Sequence, residues 1–188
     1  MIAVHDNLRP HPAVLAAGCC AVALVSMLLL PWPLALASIA LGALMIAGAD
    51  VDARTFLLPD FVTIGAAVGG IVAAAVLDPF DPWAAGAGAL SRALATALVL
   101  ALVRWCYGHY RGREGLGFGD VKLAAAVGAW LPLDAIPICF GLAAGAALIA
   151  VVTARLRGQT IDAAMKIPFG AFLCPALWIV FYANVLPG

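Results

Sequence analysis

Residues 135–154 read AIPICFGLAAGAALIAVVTA, a run of twenty residues without a single charge. The hydrocarbon core of a bilayer is about 30 Å thick, and an α-helix that rises 1.5 Å per residue needs roughly 20 apolar residues to cross it. The run lies between the breakers Leu131-Pro132 and 155–168. It therefore predicts one membrane-spanning helix.

Six further segments are similarly apolar, and short stretches rich in proline or glycine separate them. The predicted spans are 12–31, 34–50, 61–77, 93–110, 119–133, 135–154 and 168–186. The segment 119–133 is short and begins with charged residues, so it is either a full span or partly re-entrant. The pattern predicts an all-α, polytopic transmembrane helical bundle with six to seven spans.

No linker is long enough to separate two domains, so we expect a single membrane-embedded domain over residues 1–188. Its expected parts are two leading spans in 1–49, a motif-bearing core in 50–173 and the final span at 168–186.

Composition supports the bilayer as the main partner of the chain. Of 188 residues, 65% are hydrophobic and only 11% charged, whereas a soluble domain is about a quarter charged. The net charge is zero, which excludes the basic surface that nucleic-acid binding requires. We expect no metal or cofactor, because the cysteines form no Cys-x-x-Cys pair and the histidines are scattered. These cysteines are predicted to be small apolar packing residues: Cys19, Cys20, Cys106, Cys139 and Cys174.

The basic residues predict the orientation of the bundle, since Lys and Arg accumulate on the cytoplasmic side. If the N-terminus is cytoplasmic, only Arg92 falls outside. The predicted cytoplasmic residues are Arg9, Arg54, Arg104, Arg111, Arg113, Arg155, Arg157 and Lys166. The same orientation places the segments 50–60 and 112–122 at one membrane face.

Two acids in these segments are the candidate catalytic residues. A carboxylate within or beside hydrocarbon is costly, so it indicates function. Asp52 ends one span, and Asp120 begins another directly after Gly117-Phe118-Gly119, where the glycines allow another chain to come close. Asp50 is a rival for the first acid. Positions two apart on a helix do not share a face, so Asp50 and Asp52 are not expected to act together.

Carboxyls placed side by side cannot both ionise easily, so they share a proton. One then serves as general base toward water, and the other as general acid toward the scissile carbonyl or the leaving amine. The pattern predicts an aspartic endopeptidase.

At these residues the chain resembles the type IV prepilin peptidases, membrane aspartic proteases of the Gly-x-Gly-Asp class. Three motifs support the resemblance, in the same order as in that family. They are Asp52 followed eight positions later by the acid of Leu58-Pro59-Asp60, the run Gly117-Phe118-Gly119-Asp120-Val121-Lys122-Leu123, and Ile167-Pro168-Phe169-Gly170 at the start of the final span.

The resemblance implies the Gly-x-Gly-Asp aspartyl protease fold, with Asp52 and Asp120 as the catalytic pair. It also implies cleavage of the basic leader of prepilins or pseudopilins at the cytoplasmic face of the bacterial inner membrane, usually after a glycine, in pilus assembly or protein secretion. The supporting residues would be Pro59, Asp60, Gly117, Gly119, Lys122, Pro168 and Gly170. Lys122 fits the motif, but no chemical step is assigned to it.

Larger members of that family carry an N-terminal region with paired Cys-x-x-Cys motifs and also N-methylate the trimmed pilin. The first 50 residues here supply two apolar spans instead. We therefore expect a short form without methyltransferase activity.

Two other classes of function remain as alternatives. A proton- or ion-coupled transporter would place its acids near the bilayer midplane on broken helices. In a non-catalytic scaffold subunit of a pilus or secretion assembly, the aspartates would only cap helices, and Asn would replace either of them with little effect.

Overall fold

The computed structural model describes residues 10–111, 117–157 and 168–186, and the secondary structure of these residues is entirely helical. The prediction of an all-α bundle is confirmed. The helices are α1 (Pro12–Leu29), α2 (Trp32–Thr55), α3 (Asp60–Leu77), α4 (Pro82–Arg111), α5 (Phe118–Trp130), α6 (Ala135–Leu156) and α7 (Phe169–Val185).

Five of these helices, α1, α2, α3, α4 and α6, are long and apolar enough to cross a membrane. Large apolar side chains cover their outward faces, as at Leu28, Ile64, Leu98 and Leu148. Such a surface matches lipid rather than water. The chain is therefore a multi-pass membrane protein.

The two remaining helices are shorter. Helix α7 is apolar and has 17 residues. Helix α5 has 13 residues and is therefore about 20 Å long, less than the thickness of the hydrocarbon core. It packs against α3, α4 and α7 and is buried nearly all round, with Leu123 and Val127 fully enclosed. The shortest helix thus lies at the centre of the bundle.

Helix α2 continues five residues beyond its predicted end at position 50. The predicted span ends where the polar residues Asp50, Asp52 and Arg54 begin, but each of them has a partner that permits a helix there. Arg54 Nη2 lies 2.7 Å from Asp50 Oδ2, one turn earlier, and Asp52 is buried against another helix. The helix therefore continues to Thr55 before Phe56 takes a left-handed conformation.

Helix α4 begins eleven residues before its predicted start at position 93. The stretch from Trp83 to Gly88 is rich in glycine, which suggested a loop. Asp81 caps it instead, since its Oδ1 accepts the N–H of Ala84 at 3.0 Å, and Pro82 suits the first helical position. Gly86 then allows close approach to Ala75 of α3.

Side-chain hydrogen bonds join the helices within the apolar interior. Ser26 of α1 and Ser38 of α2 share a hydrogen bond of 2.9 Å between their hydroxyls, and Trp178 Nε1 of α7 donates to Ser38. Trp130 Nε1 of α5 donates to the carbonyl of Ala66 in α3. Small residues and such bonds are the usual means of helix association in membranes.

The prediction for the cysteines is correct for Cys139 and Cys174, which are buried. It is wrong for Cys20 and Cys106, which are exposed on the outer surface of the bundle. Their positions on outward helix faces account for this difference.

Candidate active site

Asp52 lies in the last turn of α2 and is only 5% exposed. Its Oδ2 accepts the backbone N–H of Ala171 at 2.8 Å, and the N–H of Gly170 faces the same carboxylate. Both donors belong to the first turn of α7, where N–H groups lack the usual partner four residues earlier, although that of Ala171 also reaches the carbonyl of Pro168 at 3.2 Å. The start of α7 therefore holds the Asp52 carboxylate in place.

Asp120 lies in the first turn of α5 and is 8% exposed. Its Oδ2 accepts the N–H of Gly117 at 3.2 Å, the reciprocal half of a capping box. Gly117 has ordinary extended geometry, and a side chain there would meet the Asp120 carboxylate at 3.3 Å. The first glycine of the motif thus leaves room for the acid that follows it.

The two acids come from different helices and lie together at one end of the bundle. The side chain of Leu58 packs against both Gly119, directly before Asp120, and Gly170, which lies against the Asp52 carboxylate. Each acid commits Oδ2 to a backbone donor. The pair is thus held from two sides by the starts of α5 and α7.

The Pro168-Phe169-Gly170 motif positions α7 for this role. Pro168 precedes the helix as its N-cap. A Cβ at Gly170 would lie 2.8 Å from Asp52 Oδ2, a distance that real Cβ atoms do not adopt. Only glycine allows the helix to start this close to the carboxylate.

Lys122 and Asp60 form an ion pair beside the acids rather than between them. Lys122 Nζ lies 2.5 Å from Asp60 Oδ1, and the Asp60 side chain is 67% exposed. Lys122 and Arg104 also lie over the Phe118 ring, 5.1 and 5.5 Å from its centroid. Pro59 is the N-cap of α3 and so precedes Asp60 directly.

Asp50 faces away from the pair, as its spacing from Asp52 predicts. Its Oδ2 accepts hydrogen bonds from Arg54 Nη2 and from the backbone N–H of His11, both at 2.7 Å. These contacts join the start of α1 to the end of α2. Asp50 therefore has a structural partner on each side.

The site residues predicted from the motifs all lie at this one end of the bundle. Four residues named in the sequence analysis lie outside the described residues: Arg9, Arg113, Lys166 and Ile167. The Arg111 side chain is also outside them. Sequence reasoning missed the donors at Gly170 and Ala171, because a backbone N–H gives no residue-type signal. Leu58 was part of a quoted motif but was given no role, and the structure shows that it packs directly against Gly119 and Gly170.

Comparison with known proteins identifies the family. Residues 39–154 match the model of the type IV leader peptidase family. The chain is 36% identical over 141 residues to a prepilin leader peptidase/N-methyltransferase of Burkholderia pseudomallei (strain 1026b), covering 74% of this chain and 43% of that protein. A protein of the same name from Aeromonas hydrophila is 34% identical over 158 residues, covering 82% of this chain and 52% of its own length.

A shorter relative is the leader peptidase HopD of Escherichia coli, 36% identical over 141 residues. The alignment covers 73% of this chain and 86% of HopD. The chain thus spans about half the length of the two longer relatives and most of the shorter one. No solved structure matches it significantly. The matched residues include both buried acids, most of α2, all of α3 to α5 and most of α6, and on this evidence the chain belongs to the type IV leader peptidase family.

Proposed function

We propose that this protein is an aspartic endopeptidase that removes the basic leader from type IV prepilins or pilin-like proteins. The observation that supports it most strongly is the pair of buried acids, Asp52 and Asp120, each held by a backbone N–H at one end of a membrane bundle. The leader peptidase names of the relatives supply the class of substrate. No metal or cofactor is needed for this chemistry.

In the proposed reaction the two carboxyls share one proton. We assign Asp52 as the base, because two N–H groups of α7 face its carboxylate whereas one N–H faces that of Asp120. It takes a proton from a water molecule, whose oxygen attacks the scissile carbonyl carbon. Asp120 gives its proton to the carbonyl oxygen. Collapse of the tetrahedral intermediate breaks the C–N bond as the proton held by Asp52 passes to the leaving amine, and one hydroxyl of the intermediate returns its proton to Asp120, which restores the starting state.

We place the site at the cytoplasmic face of the bacterial inner membrane. Among the described residues, the basic side chains at the end that holds the acids are Arg54, Arg104, Lys122, Arg155 and Arg157. Arg92 lies at the opposite end, where its Nε donates to the carbonyl of Leu131 at 3.1 Å. This distribution favours the cytoplasmic orientation.

We further propose that the chain acts as a peptidase without N-methylating its product. The relatives whose names include both activities are about twice as long as the part that aligns, whereas HopD, named only as a leader peptidase, aligns over most of its length. Mass spectrometry of the processed pilin should find an unmodified N-terminus. An N-methylated product in cells that express only this enzyme would contradict the proposal.

The peptidase is tested by co-expression with a pilin precursor that bears a basic leader, followed by gel mobility. Asp52→Asn and Asp120→Asn should each leave the precursor uncut at equal enzyme abundance. Asp50→Asn is the matched control, because it makes the same chemical change two positions away and should retain processing.

Full processing by either of the first two variants would remove that acid from the mechanism. The scaffold alternative predicts instead that the precursor is cut only where another leader peptidase is present, and that both Asn variants support assembly like the unaltered protein, since Asn caps a helix about as well as Asp. A precursor left uncut by the unaltered enzyme would contradict the proposed function itself.

A further inference from the structure

Leu58 lies in the short connection between α2 and α3, and its half-buried side chain packs against glycines of three helices. These are Gly48 of α2, Gly119 of α5 and Gly170 of α7. An apolar side chain thus occupies the place where the ends of α5 and α7 come together. Neither the motifs nor the proposed chemistry assigns it a role.

The contacts around Leu58 are close enough to exclude any side chain at two of these glycines. A Cβ at Gly119 would lie 2.9 Å from Leu58 Cβ, and one at Gly170 would lie 2.7 Å from Leu58 Cδ1. Real Cβ contacts are not that short. The Leu58 side chain therefore packs at van der Waals distance against the backbones of Gly119 and Gly170 and fills the space between them.

This space adjoins both acids. Gly119 is the residue directly before Asp120. A Cβ at Gly170, which would lie 2.7 Å from Leu58 Cδ1, would also lie 2.8 Å from Asp52 Oδ2. The Leu58 side chain therefore borders the place where a peptide carbonyl would meet the two carboxyls.

The backbone on both sides fixes the position of Leu58. Phe56 adopts a left-handed conformation, with φ of 56°, and its N–H bonds to the carbonyl of Asp52 at 2.9 Å. On the other side, Pro59 has the restricted φ of proline. The turn after Asp52 consequently fixes the position of Leu58 relative to that acid. The backbone of Leu58 cannot readily move away from it.

Building on the proposed function, we propose that Leu58 determines the size of the substrate residue whose carbonyl is attacked. A residue with little or no side chain can place its carbonyl between the acids. A larger one meets Leu58 on one side and the glycine backbones on the other. The side chain of Leu58 alone would then set the preference for a small residue before the scissile bond.

The test uses purified enzyme in detergent and a prepilin with glycine before the scissile bond, together with versions in which alanine, serine or valine replaces that glycine. The quantity measured is the ratio of kcat/KM for each version to kcat/KM for the glycine substrate. Leu58→Ala should raise the alanine and serine ratios roughly tenfold or more, because one methyl-sized group in a tight pocket is worth about 10- to 200-fold. Leu58→Val should raise them less.

Leu57→Ala is the matched control, since Leu57 lies in the same connection but is 56% exposed. It should leave the ratios unchanged. Each ratio compares two substrates on one enzyme preparation, so partial unfolding of a variant cancels from it.

If the Leu58 variants raised or lowered kcat/KM equally for all substrates, the inference would be overturned. Leu58 would then be a packing residue, or a side chain that hinders every substrate alike. Failure of the unaltered enzyme to cut the glycine substrate would instead overturn the proposed function. The two failures are therefore distinguishable.

Discussion

The backbone N–H of Ala171 donates a 2.8 Å hydrogen bond to Oδ2 of Asp52, although 119 positions separate the two residues in the chain. The bond gives the Pro168-Phe169-Gly170 motif a physical role. The motif starts α7 beside the carboxylate, and glycine at position 170 removes the side chain that would keep them apart.

Gly170→Ala should therefore impair cleavage much more than it impairs folding. The added methyl would displace Asp52 or Leu58, and misplacing a reacting group by about 1 Å can cost roughly 100-fold in rate. The measurement is kcat on a glycine-leader prepilin together with the thermal unfolding midpoint. Gly145→Ala is the control, because no neighbouring atom lies within 4 Å of its added methyl. Equal rates for the two variants would contradict this role of Gly170.

Gly128→Ala should destabilise the whole bundle. Its methyl would collide with the carbonyl oxygen of Arg92 and lie 2.6 Å from Thr96 Oγ1, both on α4. A backbone carbonyl cannot move aside as a flexible side chain can, so we expect a cost of about 1–3 kcal/mol or more. Thermal unfolding in detergent would measure it. Gly141→Ala, whose methyl would enter open space, should unfold like the unaltered protein.

The ion pair between Lys122 and Asp60 should contribute little to stability. The Asp60 side chain is 67% exposed, and exposed pairs contribute about 0–1 kcal/mol. A double-mutant cycle with Asp60→Asn and Lys122→Met should give a coupling free energy within that range. A coupling free energy above roughly 2 kcal/mol would indicate that lipid excludes water from this ion pair.

The proposed orientation predicts where introduced cysteines react. Phe80→Cys, in the turn before α4 where Phe80 is 94% exposed, should react with a membrane-impermeant maleimide in intact cells. Leu57→Cys, beside the acids, should react only after permeabilisation. The unaltered chain, with its five cysteines, gives the background. The reverse labelling pattern would place the acids outside the cytoplasm.

The fold was predictable because apolar runs of sufficient length have few alternatives to a membrane helix. The seven helices of the described residues all overlap the predicted spans, although α5 and α7 are shorter than the five that are long enough to cross a membrane. The boundaries failed where a tertiary contact overrides local composition: α2 extends through Asp52 because α7 supplies partners for that acid, and α4 includes a glycine-rich start because Asp81 caps it.

The site was predictable as far as its ionisable side chains. Carboxyls such as Asp52 and Asp120 are conspicuous in an apolar chain, and alternating helix direction brings them to one end. The donors at Gly170 and Ala171 left no such signal, since every residue except proline has an N–H. Leu58 stood in the motif Leu58-Pro59-Asp60, but a leucine in an apolar chain gives no signal of the glycines that it contacts.

The hydrogen bonds between Asp52 and α7 also constrain the biogenesis of the protein. Asp52 leaves the ribosome well over one hundred residues before Ala171, so the nascent chain exists for a time with its first acid lacking these donors. The proposed catalytic pair therefore gains its full set of donors only when α7 has been translated and has docked against α2. Partly synthesised chains inside the insertion machinery would therefore be inert toward neighbouring polypeptides.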